Sequence, residues 1–212
     1  MLRLIQKLIT RRTTSEPSPP KPTRTARKSI PPPITNAFDF RNTTDLLDEK
    51  LLEMFQRAVD GWTVGKLTVR VRYSRGADFS GTCIYAGQRI LINLGSHLAY
   101  PYKMYTNLAR AKSHRTHWVR EAYAINLRDA YEVVLFIFLH ELYHMLIKKA
   151  RRNPRQKEGM CDRFAARYLV DNRGAIICTN EGTIPPRDEW DFQDLEGFVT
   201  RVRSPQRCEP FG

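Results

Sequence analysis

The segment Asp129–His144, D-A-Y-E-V-V-L-F-I-F-L-H-E-L-Y-H, constrains this 212-residue chain more than any other. It is a long apolar run that closes on two histidines and a glutamate. No Gly or Pro occurs from Tyr102 to Asn153, so a helix through it meets no breaker. At about 100° per residue, His140 and His144 fall roughly 40° apart on one face, one above the other. Two imidazoles placed this way can bind one zinc ion. Glu141, beside that face, can take a proton from a water the metal activates. This is the H-E-x-x-H arrangement, with two His ligands and a Glu general base. The bland alternative is a helix carrying two satisfied core histidines and a solvated glutamate. A metal accounts for all three polar residues together, because an apolar run buries them and buried polar groups need partners.

A zinc site of this kind needs a third protein ligand. The five histidines stand at 97, 114, 117, 140 and 144, so none lies downstream of the motif. His114 and His117, in a basic stretch, are weaker metal candidates. The next acid after Glu141 is Glu158, which opens the amphipathic segment E-G-M-C-D-R-F-A-A-R-Y-L-V through Val170. Glu158, Asp162, Ala165 and Leu169 share one helical face. Asn153-Pro154 between the two segments is a stop-and-turn signal, so a helix hairpin brings Glu158 back beside the histidines. Asp162, one turn on, is placed to accept the second N–H of a ligating His and set its tautomer. Taken without the motif, this pair would be an ordinary capping and solvated acidic face.

His140-Glu141-Leu142-x-His144 followed by Glu158-x-x-x-Asp162-x-Phe164-Ala165-Ala166-x-x-Leu169 resembles the gluzincin metallopeptidases, most closely the ImmA/IrrE-type group. The resemblance covers Tyr131 to Val170, and it implies roles residue by residue. His140, His144 and Glu158 would be the Zn²⁺ ligands, Glu141 the catalytic base and Asp162 the supporting acid. It departs from the family in having Tyr143 before the second His, and Val170-Asp171-Asn172 without the Pro common there. The SprT group, DNA-associated proteases, is similar in its strand region before the motif, but it uses a downstream third His that this chain lacks. Regulation of repressors, common among ImmA/IrrE-type relatives, has no helix-turn-helix module here to support it.

Charge and composition set the wider bounds. The length suits one globular domain plus a tail. A net charge of +13 favours acidic partners such as nucleic acid or anionic lipid, without itself defining a function. More than half of that charge lies in residues 1–35, with eight Lys or Arg against one acid, and seven of the 13 Pro lie there too. This reads as a disordered basic tail. Its first twelve residues are too short and interrupted to cross a membrane, and no transmembrane segment is expected. Cys83, Cys161, Cys178 and Cys208 form no C-x-x-C pair, which points to a reducing, cytoplasmic setting without a disulfide framework.

The remaining pattern predicts an α+β fold, a small sheet packed on the helix pair, over residues 36–200, with a tail at 201–212. Thr44 and Asp45 are candidate caps for a helix from Leu46 to Val59 that buries Leu47, Leu51, Phe55 and Val59. Leu67–Tyr73 alternates as a strand. Gly81–Tyr85 and Arg89–Leu94 are further strands, and by analogy with zincins Ile90–Leu94 is assigned the edge that pairs with an extended peptide. Residues 97–128, where tyrosines and a tryptophan mix with Lys and Arg, read as a helical insertion over the sheet or, less strongly, as a base-stacking surface. The run Lys148, Lys149, Arg151, Arg152, Arg155 and Lys157 lies near one end of the site, where it favours acidic substrates or is a solvated loop. Asn172-Arg173-Gly174 stops the second helix, Ala175–Cys178 is a short apolar run, and Asp188–Val199 is a final helix packing Trp190, Leu195 and Phe198. The functional expectation is zinc-dependent hydrolysis of a peptide bond in a protein or peptide substrate. Its alternatives are a SprT-like protease, a zinc-stapled non-catalytic regulatory protein, and a nucleic-acid binder.

Overall fold

A computed structural model describes residues 36–113 and 115–200 of the chain. The basic tail, His114 and the C-terminal tail with Cys208 lie outside the described residues. The fold is α+β. β1 (Ala37–Asn42), α1 (Asp48–Ala58) and β2 (Lys66–Tyr73) form a parallel crossover unit, followed by β3 (Phe79–Ile84) and β4 (Arg89–Leu94). The four-stranded sheet has the order β1-β2-β4-β3, with β3 antiparallel to β4. Alternation sets its faces: Leu67, Val69 and Val71 of β2 and Ile90, Ile92 and Leu94 of β4 are buried on the core side.

α2 (Ala130–Lys149) lies at the centre. Every residue from Val133 to Leu139 is buried, so the helix is apolar on all sides. The sheet covers one side and α1 and α3 (Glu158–Arg173) cover others. Its length and apolarity match a membrane-crossing helix, yet 83% of that apolar window is buried among the other elements. Phe138 stacks on Phe55 of α1 at 4.3 Å between ring centroids, a pair worth about 0.5–1.5 kcal/mol beyond area burial. The start of α2 is capped: Asp129 accepts from the Glu132 N–H at 2.9 Å, and the buried Glu132 carboxylate accepts from Arg128 N–H at 2.7 Å. α3 ends where expected, on Gly174 at φ +68°, a left-handed position that glycine takes at no steric cost.

Four expectations are corrected. Residues 97–128 contain no helix among the described residues. They form β5 (Tyr102–Thr106), β6 (Lys112–Ser113), β7 (Trp118–Val119) and β8 (Tyr123–Leu127), and β8 joins β5 to β9 (Ile176–Cys178) in a second, antiparallel sheet. Alternating burial in β5, with Met104 and Thr106 inward and Lys103 and Tyr105 outward, is the strand signal that its aromatic and basic content masked. The sheet edge beside α2 is β3, not β4, because β4 is paired on both sides. α1 starts at Asp48, leaving Leu47 63% exposed, and neither Thr44 nor Asp45 caps it. The final helix is two short ones, α4 (Arg187–Trp190) and α5 (Leu195–Thr200). They still bury Trp190 and Leu195, and Arg167 of α3 ion-pairs with both Asp191 and Glu196 to hold this segment.

Candidate metal centre and its cleft

The antiparallel packing of α2 and α3 turns sequence spacing into a cluster. His140 and His144, one turn apart, face α3, where Glu158, Cys161 and Asp162 occupy its first turns. His140 Nε2 is 3.1 Å from Glu158 Oε2 and 3.2 Å from His144 Nε2. His144 Nε2 is 3.4 Å from Glu158 Oε1. Donor atoms ~2.0–2.2 Å from a four-coordinate metal stand roughly 3.3–3.6 Å apart, so these spacings are close to the edges of one coordination tetrahedron.

The hydrogen-bond chemistry agrees. The Asp162 carboxylate can only accept, so His140 Nδ1–H donates to its Oδ1 at 2.8 Å. A neutral His140 then turns its Nε2 lone pair toward a carboxylate and a second imidazole. Such a cluster of acceptors needs a cation, either protons or a metal. Burial alone would lower the affinity of His140 for a second proton, but the Asp162 and Glu158 carboxylates outweigh it and push the pKa up to about 10. His144 is held down, first by burial and then by the neighbouring His140. Its Nδ1 is buried without a hydrogen-bond partner, so of the two rings only His140 has a carboxylate on Nδ1. Glu158 is pushed down by its hydrogen bond from His140.

Asp162 is itself anchored, through Oδ2, by the Asn107 backbone N–H at 2.7 Å. The loop after β5 therefore braces the His140 ring. The residue that sequence reading missed is Cys161. His140, His144 and Cys161 offer donor atoms within 4.8 Å of one another, close enough to hold a metal ion. The Cys161 thiol is fully buried, and burial pushes its pKa well above the ordinary thiol value. Its place three residues after Glu158 was the available signal, since both then face α2 from the first turn of α3.

Glu141 stands beside this cluster at the free edge of β3. A Cβ on Gly81 would meet Glu141 Oε1 and lie 2.7 Å from Ile137 Cγ2, so the strand passes this close only because position 81 has no side chain. Burial raises the Glu141 pKa, opposed by the charge of His140 and, more weakly, by the Cys83 backbone N–H. A cleft of about 470 Å³ opens on one side of Glu141, lined among others by Cys83, Tyr85, His144, Lys148, Arg155 and Glu158. A smaller one, about 180 Å³, opens on the other side over Phe79, Met104, Tyr105, Phe136 and Ile137. A larger cleft of about 650 Å³ at the carboxyl ends of β1, β2 and β4 is lined by Thr43, Arg72, Tyr73, Ser74, Arg75 and Asn93, without a carboxylate, thiol or imidazole.

Tyr143 and Tyr168 are close in sequence to the motif, which makes them candidate hydrogen-bond donors to a reacting carbonyl by position alone. Tyr143 is fully buried and donates to the Leu195 carbonyl at 2.9 Å. Tyr168 lines a separate groove with Lys50, Arg57 and Asn172. The phenols beside Glu141 are Tyr85 and Tyr105, one in each flanking cleft. Of the other histidines, His97 bonds to Asp78 at 2.9 Å and His117 is exposed beside Thr116, neither near the cluster's ligand set. No family model matches this chain, and no curated protein and no solved structure matches it either.

Proposed function

We propose that this protein is a zinc-dependent metallopeptidase of the gluzincin type, with His140, His144 and Glu158 holding the metal. The observation that carries the reading is the convergence of three acceptor groups at 3.1 to 3.4 Å, beside a buried glutamate that opens on a cleft. Imidazole and carboxylate donors in a near-tetrahedral arrangement suit Zn²⁺. Zinc bound there would lower the pKa of a water and polarise a scissile carbonyl. Glu141 takes the water's proton and later delivers it to the leaving amine. Asp162 holds His140 in the tautomer that leaves Nε2 free for the metal. The free edge of β3 supplies backbone groups for an extended peptide to pair with.

Metal content and hydrolysis together test this. The purified chain is expected to carry about one zinc, lost or reduced in Glu158→Ala. Glu141→Gln is expected to keep the zinc and abolish peptide hydrolysis. A chain that takes up no zinc overturns the proposal.

One observation favours a second reading, a zinc-stapled protein without activity. Cys161 as a fourth donor would close the site, as in structural zinc centres. In that case the zinc-loaded chain hydrolyses no peptide, with Glu or with Gln at position 141.

A further inference from the structure

The two clefts flanking Glu141 differ in chemistry, and the difference points to a substrate class. Of the basic run after the motif, Lys149 donates to the Val64 carbonyl and Arg152 stacks on Phe198 at 4.4 Å. Lys148 and Arg155 do neither, and both line the larger cleft with Glu141 and His144. Both are exposed, and neither has a carboxylate within ion-pair distance among the described residues. Lys148 Nζ lies 5.9 Å from the centroid of the Tyr85 ring, and Arg155 donates its backbone N–H to Asn153 Oδ1. Elsewhere Arg57, Arg70, Arg128, Arg167 and Arg187 all pair with acids. The carboxylates in this cleft are Glu141 and Glu158, and Glu158 is already engaged by both site histidines. On the far side of Glu141 the smaller cleft has apolar walls from Phe79, Met104, Phe136 and Ile137, with Asn107, His140 and Asp162 also in its lining, and no Lys or Arg.

β3 gives these clefts a direction. It runs from Phe79, at the apolar cleft, past Gly81 at Glu141, to Cys83 at the basic cleft, with Tyr85 just beyond its end. An extended peptide gains most by pairing antiparallel with a free edge. Its N-terminal half then lies over Lys148 and Arg155 and its C-terminal half over the apolar cleft. We propose that the groove along β3 selects extended peptides with acidic side chains N-terminal to the reacting bond and an apolar side chain after it. This rests on the peptidase reading of the same site.

The test separates binding from cleavage. The zinc-loaded full chain carrying Glu141→Gln is titrated into a fluorescein-labelled decapeptide with paired glutamates ahead of an alanine–leucine bond, and into its twin with glutamines. The acidic peptide should bind roughly fivefold tighter, as expected for two exposed ion pairs, and the difference should shrink as salt is raised. Adding Lys148→Ala and Arg155→Ala should remove it. Equal binding of the twins, no binding of either, or a preference that survives the double substitution overturns the inference. Selective binding with no hydrolysis by the unsubstituted chain supports the groove and overturns the peptidase reading instead.

Discussion

Asp162 and His140 are joined by a 2.8 Å hydrogen bond in which the imidazole Nδ1–H donates and the carboxylate accepts. Because Asp162 is held in turn by the Asn107 backbone, the loop after β5 helps aim the ring's Nε2 at Glu158 and His144. Asp162→Ala frees the ring and its tautomer. Zinc affinity is expected to fall about 10- to 100-fold, read by competition with a chromophoric chelator, with the circular dichroism of the helices retained. Unchanged affinity would show that the bond does not position the ligand.

Gly81→Ala introduces a methyl group where Glu141 Oε1 and Ile137 already sit. The strand has to move off α2 or the glutamate has to rotate away. Overpacking of this kind costs about 1–3 kcal/mol, so thermal unfolding should shift down and hydrolysis should fall with it. A variant as stable and as active as the parent would show that β3 does not pack against Glu141 in this way.

Cys161→Ala distinguishes the two donor sets. Glu158 reaches both site imidazoles at hydrogen-bond range, whereas the Cys161 thiol is buried and costly to ionise. Zinc content should therefore stay near one per chain in Cys161→Ala and drop in Glu158→Ala. The opposite order would make the thiolate the third ligand.

Tyr143→Phe removes a buried bond to the Leu195 carbonyl and leaves that acceptor without its donor. Stability should fall by about 1–2 kcal/mol in chemical denaturation, with zinc content and kcat unchanged. A collapse of kcat without loss of stability would mean that this hydroxyl reaches the reacting bond.

His140, Glu141 and His144 were legible because a single helix carries them, and helical geometry converts sequence spacing into facing directly. The stop at Gly174 and the strands Leu67–Tyr73 and Arg89–Leu94 were legible for the same reason: each depends on neighbours within a few residues. Residues 97–128 were not, since aromatic and basic residues suit an exposed strand face as well as a helix, and β8 became a strand by pairing with β5 on one side and the distant β9 on the other. That Tyr143 turns inward to α5, that β3 rather than β4 is the free edge, and that Lys148 and Arg155 alone of their basic run share a cleft with Glu141 were decided by tertiary packing. The chain by itself determined which side chains could do chemistry and on which helices they ride. Only the fold, by burying α2 on every side and laying α3 and β3 against it, decided which of them meet.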